Sequence, residues 1–134
     1  MRIAALALLL AGCAAVTPAG SEEAAFVAAG AERVPGADRA ELLVGNSVVG
    51  HGFTVHYAPD GRKLVALADG RRLERRWRIR ADGTFCEELA KSGAEVCAVA
   101  GKLYVLDGEY RAFRPDGNAA GPGFRVVAGE AAAR

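Results

Sequence analysis

From Asn46 to Val127 the chain repeats one pattern: a short apolar run, then a turn. Asp-Gly closes five of those runs, at 60–61, 69–70, 82–83, 107–108 and 116–117. Asp-Gly suits turns that need positive φ, and between apolar runs it marks hairpins. The runs predict strands at Ser47–Val49, Phe53–Tyr57, Lys63–Leu67, Leu73–Arg80, Thr84–Leu89, Glu95–Ala100, Lys102–Leu106, Glu109–Phe113 and Gly123–Val127. Alternation is cleanest in "RRLERRWRIR". Leu73, Trp77 and Ile79 share one face, with Arg75 a misfit among them, and Arg72, Glu74, Arg76, Arg78 and Arg80 share the other. Trp77, with aliphatic neighbours on its face, is a core anchor.

Ahead of this region the texture is helical. Ser21 followed by Glu22 and Glu23 offers an N-cap and an acidic first turn, so "EEAAFVAAGAERV" reads either as a short helix halted by Pro35-Gly36 or as disordered chain. Asp38 and Glu41 make a capping-box pattern, Leu42 and Leu43 supply an apolar face, and Gly45 is a stop; a helix is expected over Asp38–Val44. The fold class is therefore mainly β: a small antiparallel meander of about seven to nine strands with a short N-terminal helix. The meander must manage its edges, either by closing into a barrel or as a strongly curved open sheet.

At the start of the chain, Arg2 precedes an uninterrupted apolar run, Ile3–Ala11. Nine residues are too few to span a bilayer, and suit the core of a signal peptide. The run ends in Leu10-Ala11-Gly12-Cys13, which resembles the lipobox of bacterial lipoproteins. That resemblance implies removal of residues 1–12 and acylation of Cys13, with Ala14 rather than Asp at the next position favouring the outer membrane, facing the periplasm. Two or more acyl chains give stable anchoring where one does not. The expected organisation is a signal peptide over 1–12, a lipidated N-terminus and flexible linker over 13–37, a β domain over 38–128 and a disordered tail over 129–134.

Composition adds little beyond this. The 134 residues carry 17 basic and 16 acidic side chains, a balance that does not suit a nucleic-acid partner, and 17 Gly with 5 Pro favour turns over long helices. With Cys13 assigned to lipid, Cys86 and Cys97 remain, centred on the turn-like Lys91-Ser92. In an exported domain an even pair oxidises, and this spacing places the two opposite each other on hairpin strands.

No catalytic constellation survives inspection. An odd separation puts His51 and His56 on opposite faces of one strand, and no cysteine or carboxylate cluster lies near them, so no metal is expected. Ser47 and Ser92 lack a nucleophile-elbow context. The adjacent Glu87 and Glu88 point to opposite faces of a strand and do not form a glycosidase pair. Neither an enzyme nor a cofactor is expected.

One feature carries functional promise. Arg71, Arg72, Arg75, Arg76, Arg78 and Arg80 crowd one strand, with Arg62 and Lys63 across the preceding turn. Guanidinium groups bind phosphate and carboxylate bidentately, so Arg72, Arg76, Arg78 and Arg80 are the candidate anion-binding face, for an anionic envelope component or a protein partner. The competing reading is a solvated face that deters edge pairing.

Gly45-Asn46-Ser47-Val48-Val49-Gly50, Tyr57, Asp60-Gly61, Trp77, Cys86 and Cys97 together resemble a family of small exported bacterial proteins of unknown function, over about residues 40–127. Arg75 and Arg76 stand where that pattern has a glycine before the tryptophan. The resemblance implies a fold more than an activity: a lipid-anchored binding or scaffolding module of the cell envelope. The alternative is an inhibitor of lysozyme-like enzymes: lipoprotein inhibitors of that kind are also anchored, disulfide-linked small β-barrels, although their Ser-Gly-x-x-Tyr and Phe-Trp-x-Lys-Gly-type segments are missing here.

Overall fold

The computed structural model describes residues 20–82, 84–97 and 101–131. Cys13 and the apolar leader lie outside the described residues, as do positions 98–100 of the strand expected over Glu95–Ala100. Ten antiparallel strands form one curled half-barrel sheet flanked by two helices. In chain order they are α1 (Glu22–Ala28), β1 (Glu32–Val34), α2 (Gly36–Leu43), β2 (Asn46–Gly50), β3 (Phe53–Tyr57), β4 (Arg62–Leu67), β5 (Arg72–Ile79), β6 (Phe85–Glu88), β7 (Glu95–Cys97), β8 (Lys102–Leu106), β9 (Glu109–Phe113) and β10 (Phe124–Ala128). The spatial order is β1-β8-β9-β10-β2-β3-β4-β5-β6-β7, so the sheet stays open, with β1 and β7 at its edges.

Turn chemistry explains why the strands fall where they do. Gly61, Gly70, Gly108 and Gly117 all adopt positive φ, and Asp107 joins Gly108 there at φ 50°. Positive φ at both central residues is the type I′ requirement of a two-residue hairpin, and it joins β8 to β9. At Asp60, Asp69, Asp82 and Asp116 the carboxylate accepts the backbone N–H two residues on, at 2.9–3.1 Å, closing Asx turns.

Alternation then sorts the residues. Val48, Val55, Tyr57, Val65, Trp77 and Phe85 line the inner face and meet Leu43 of α2. Tyr57, Trp77 and Phe85 pack with ring centroids 5.7–5.9 Å apart, and Trp77 Nε1 donates to Ala58 O at 2.9 Å. The inner face opens toward the end of β5, where Ile79 is 37% exposed against 7% for Trp77. A second, separate cluster lies on the β8–β9 hairpin. Phe113, 1% exposed, packs on Phe26 of α1 and on Tyr104, with centroids 5.8 and 5.9 Å away. The register through Tyr110↔Phe124 puts Phe113 on the outer face, so the two helices cover opposite faces of the sheet.

Three expectations are corrected. The linker expected over 13–37 contains structure from Ser21 on: Ser21 Oγ caps α1 by accepting from Ala24 N, and β1 pairs with β8. α2 begins at Gly36, not Asp38; Pro35 is its N-cap and makes no side-chain cap, so the Asp38/Glu41 capping box does not form and Asp38 sits within the first turn. The tail expected from 129 is held through 131, where Gly129 O accepts from Ser47 Oγ at 2.7 Å and Ala131 N donates to it at 2.9 Å.

Candidate functional site: an arginine-bearing outer face

β4 and β5 run side by side with Arg62 directly opposite Arg76 and Ala66 opposite Arg72. That register gathers Arg62, Arg72, Glu74, Arg76 and Arg78 on the outer face, all exposed, with Arg80 exposed just past the end of β5. Like charges directly opposite on paired strands repel, so each guanidinium either has a local counter-charge or faces solvent.

The counter-charges are specific. Arg62 Nε reaches Asp60 Oδ2 at 2.7 Å, and Arg71 Nε reaches Asp69 Oδ2 at 2.6 Å, each within its own turn. These contacts hold both aspartates below the usual carboxylate range, through the Arg62 side chain first at Asp60 and the Arg71 backbone N–H first at Asp69. Arg78 makes a bidentate pair with Glu95 of β7, at 2.6 and 3.0 Å, which lowers the Glu95 carboxyl and raises the Arg78 guanidinium. Among the described residues, Arg72, Arg76 and Arg80 form no ion pair. The candidate set is thus brought together on one face, but Arg78 is already engaged there.

Lys63 does not belong to this face. It shares the parity of Val65 and Leu67 and points inward, 6% exposed. Its Nζ lies 2.9 Å from Glu87 Oε2 and donates to Glu88 O at 3.1 Å, while Tyr57 OH donates to the same Glu87 oxygen at 2.7 Å. Burial, and secondarily the Glu87 charge, pushes the Tyr57 hydroxyl well above its ordinary value. Arg75 lies opposite Lys63 and is half-buried, donating to Glu74 O and Ala90 O. The misfit of the β5 pattern is therefore one of two cations on the inner face, and the parity of Lys63 in "KLVAL" is the signal that identifies the other.

Cys86 and Cys97 sit directly opposite on β6 and β7, with Cα atoms 4.0 Å apart and sulfurs at bonding distance, 2.07 Å. Cys86 shares the outer face with Arg78, so the disulfide underlies the Arg78–Glu95 pair. Glu95, Cys86 and Cys97 converge within 4.8 Å, but sulfurs bonded to each other are not thiolate ligands.

His51 stands at the exposed tip of the β2–β3 hairpin, while His56 lies in β3 opposite Ser47. Ser47 is fully buried, and its Oγ is 3.1 Å from His56 Nδ1. The hydroxyl has one proton, which goes to Gly129 O, so it accepts from Ala131 N and from His56 as the Nδ1–H tautomer. This Ser–His contact fastens residues 129–131 to the sheet. Beside it, Thr54, His56, Leu64, Arg72, Glu74 and Glu130 help line a pocket of about 250 Å³ that continues the arginine face. No helix among the described residues is long and apolar enough to cross a membrane. Comparison with protein-family models, with curated proteins and with solved structures returned no match.

Proposed function

We propose that the protein is a lipid-anchored module of the cell envelope, tethered through Cys13, whose outer face binds anionic headgroups on a membrane surface. The observation that carries this reading is the ladder of guanidinium groups on β4 and β5, in which Arg62 and Arg76 are placed side by side and the guanidinium groups of Arg72, Arg76 and Arg80 form no ion pair among the described residues, although the Arg76 backbone N–H donates to the Glu88 carboxylate at 3.1 Å. Alternate positions on a strand are roughly 7 Å apart, a spacing at which several guanidinium groups engage neighbouring phosphates. Net charge is only +1, so attraction is local and salt-sensitive. Glu74, Glu88 beside Arg76 and the Glu95 partner of Arg78 offset part of the face's charge, which leaves three guanidinium groups without an ion pair among the described residues.

The anchor is tested by mass spectrometry of the mature N-terminus: an acylated Cys13 is expected, and a mature chain beginning beyond it overturns the anchor. The face is tested by partition of the purified protein between phosphatidylglycerol and phosphatidylcholine vesicles. Preference for the anionic vesicles at low salt, abolished by Arg76→Glu with Arg80→Glu, supports the reading. Equal partition, or a preference that survives the reversal, leaves the arginines as a solvated face.

A further inference from the structure

A second cationic concavity lies where the β1 edge, the first turn of α2 and the start of β8 meet the β5–β6 turn. Its volume is about 360 Å³, and Arg33, Gly36, Arg39, Asp82 and Lys102 are among its lining residues. Those cations come from three separate elements, so no linear motif announces them.

Their circumstances differ. Lys102 Nζ is held by the Glu23 carboxylate at 3.0 Å, which offsets its charge. Arg33 and Arg39 form no ion pair among the described residues. Arg39 is half-buried: Nη2 donates to Gly101 O at 2.8 Å, but Nε is buried with no hydrogen-bond partner among the described residues. Burial, then the like charge of Arg33, pulls the Arg39 guanidinium below its ordinary value. A buried donor without an acceptor is costly, and more so on a charged group. The first turn of α2 adds N–H groups without a side-chain cap, because Pro35 cannot supply one, and Gly36 has open space where a side chain would stand. Asp82 is the opposing acid on the rim, and its carboxylate already accepts from Thr84 N at 2.9 Å.

We propose that this pocket binds a small oxyanion, a phosphate or carboxylate group, seated between Arg33, Arg39 and the opening turn of α2. Two guanidinium-bearing side chains and the opening turn of α2, whose Asp38 N–H is already taken by Pro35 O, line the pocket from different elements, and an oxyanion supplies acceptors for the N–H groups of Gly36 and Ala37 and for the guanidinium nitrogens that face it. The site is independent of the outer face on β4 and β5, and neither needs the other.

The test uses the whole protein, titrated with inorganic phosphate and, separately, with acetate, against sodium chloride of matched ionic strength. Nitrogen–proton NMR follows the amides of Gly36 and Ala37 and the Nε–H of Arg39. Saturable shifts of these signals are expected with at least one anion and not with chloride. Phosphate acting alone assigns a tetrahedral group, and acetate alone a carboxylate. Arg39→Met is expected to weaken binding by roughly tenfold or more. Because that change also removes the bond to Gly101, Arg33→Gln is the second variant; Arg33 is exposed and is expected to lose several-fold without a change in fold. The Arg76→Glu, Arg80→Glu protein is expected to bind as the parent does, which separates this site from the outer face. Absence of saturable shifts with both anions overturns the proposal, as does undiminished affinity in both the Arg39 and Arg33 variants.

Discussion

The meander β2–β7 and the β8–β9 hairpin with α1 and β1 lie in one sheet but are built differently. The meander buries its inner face around Trp77, and consecutive strands pair along their lengths. The hairpin buries Phe113 on its outer face, under Phe26, as well as Leu103 on its inner one, and draws α1 down through Glu23, which takes hydrogen bonds from Tyr104 and Lys102. β10 joins the two asymmetrically. It makes five register pairs with β2 and one, Phe124↔Tyr110, with β9. The seam therefore rests on side chains, chiefly the stacked Tyr110 and Phe124 rings 5.8 Å apart, more than on a backbone ladder. A continuous hydrogen-bonded sheet can thus contain two hydrophobic units of separate cooperativity.

The largest expected effect comes from the two anchors. Trp77→Ala and Phe113→Ala should each lower stability by about 3–5 kcal/mol, the usual cost of truncating a buried aromatic residue. Their distribution should differ. Native-state hydrogen exchange should show protection lost across β2–β7 for Trp77→Ala, but concentrated in β1, β8 and β9 for Phe113→Ala. Equal loss in both regions from Phe113→Ala would make the sheet a single unit.

Inside the meander, Glu87→Ala leaves Lys63 buried without its carboxylate, and denaturant unfolding should register about 3 kcal/mol of destabilisation. The paired change Lys63→Met with Glu87→Met should recover most of that loss, because it removes both charges. A comparable loss from the double variant would show the ion pair itself to be strongly stabilising.

Replacing Cys86 and Cys97 by Ser should cost about 2–3 kcal/mol, from the short loop they close, without altering exchange in the β8–β9 hairpin. At the seam, Phe124→Leu should cost about 1 kcal/mol and loosen β9 relative to β10 while leaving β2–β3 protection intact.

Acid should act on both regions but more on the meander, which holds three of the four turn carboxylates. Asp60, Asp69, Asp82 and Asp116 all lie below the usual aspartate range, the first held chiefly by the Arg62 side chain and the others by backbone N–H groups. A carboxyl whose folded value is depressed contributes stability that is present above its unfolded value and lost as pH falls through the folded one. The thermal midpoint should fall on acidification below about pH 4, and replacing all four by Asn should flatten that fall.

Local physics was the legible part of this sequence. Phe53–Tyr57, Lys102–Leu106 and Glu109–Phe113 are strands with the bounds that alternation and Asp-Gly turns imply, and the opposition of Cys86 and Cys97 follows from their symmetry about one turn. What was not legible depends on distant partners. β1 is three residues long, "ERV", and has no periodicity of its own; it exists because β8 offers an edge. The place of β10 between β9 and β2 likewise has no local signature. Of the candidate site, the common face of Arg72, Arg76 and Arg78 was readable from parity, but the capture of Arg78 by Glu95 was not, since it crosses from β5 to β7.

The position of β10 also sets an order in time. A chain emerging from its N-terminus can form β2–β7 from neighbouring hairpins, and β8–β9 from another, as each is completed. The two pieces have no ladder between them until residues 124–128 arrive to fill the gap. During synthesis the flank of β2 therefore stays unpaired longer than the rest of the meander, an open template for any passing strand. The final step of assembly is the insertion of an interior strand, so the interval before it is when the chain most needs shielding from its own copies.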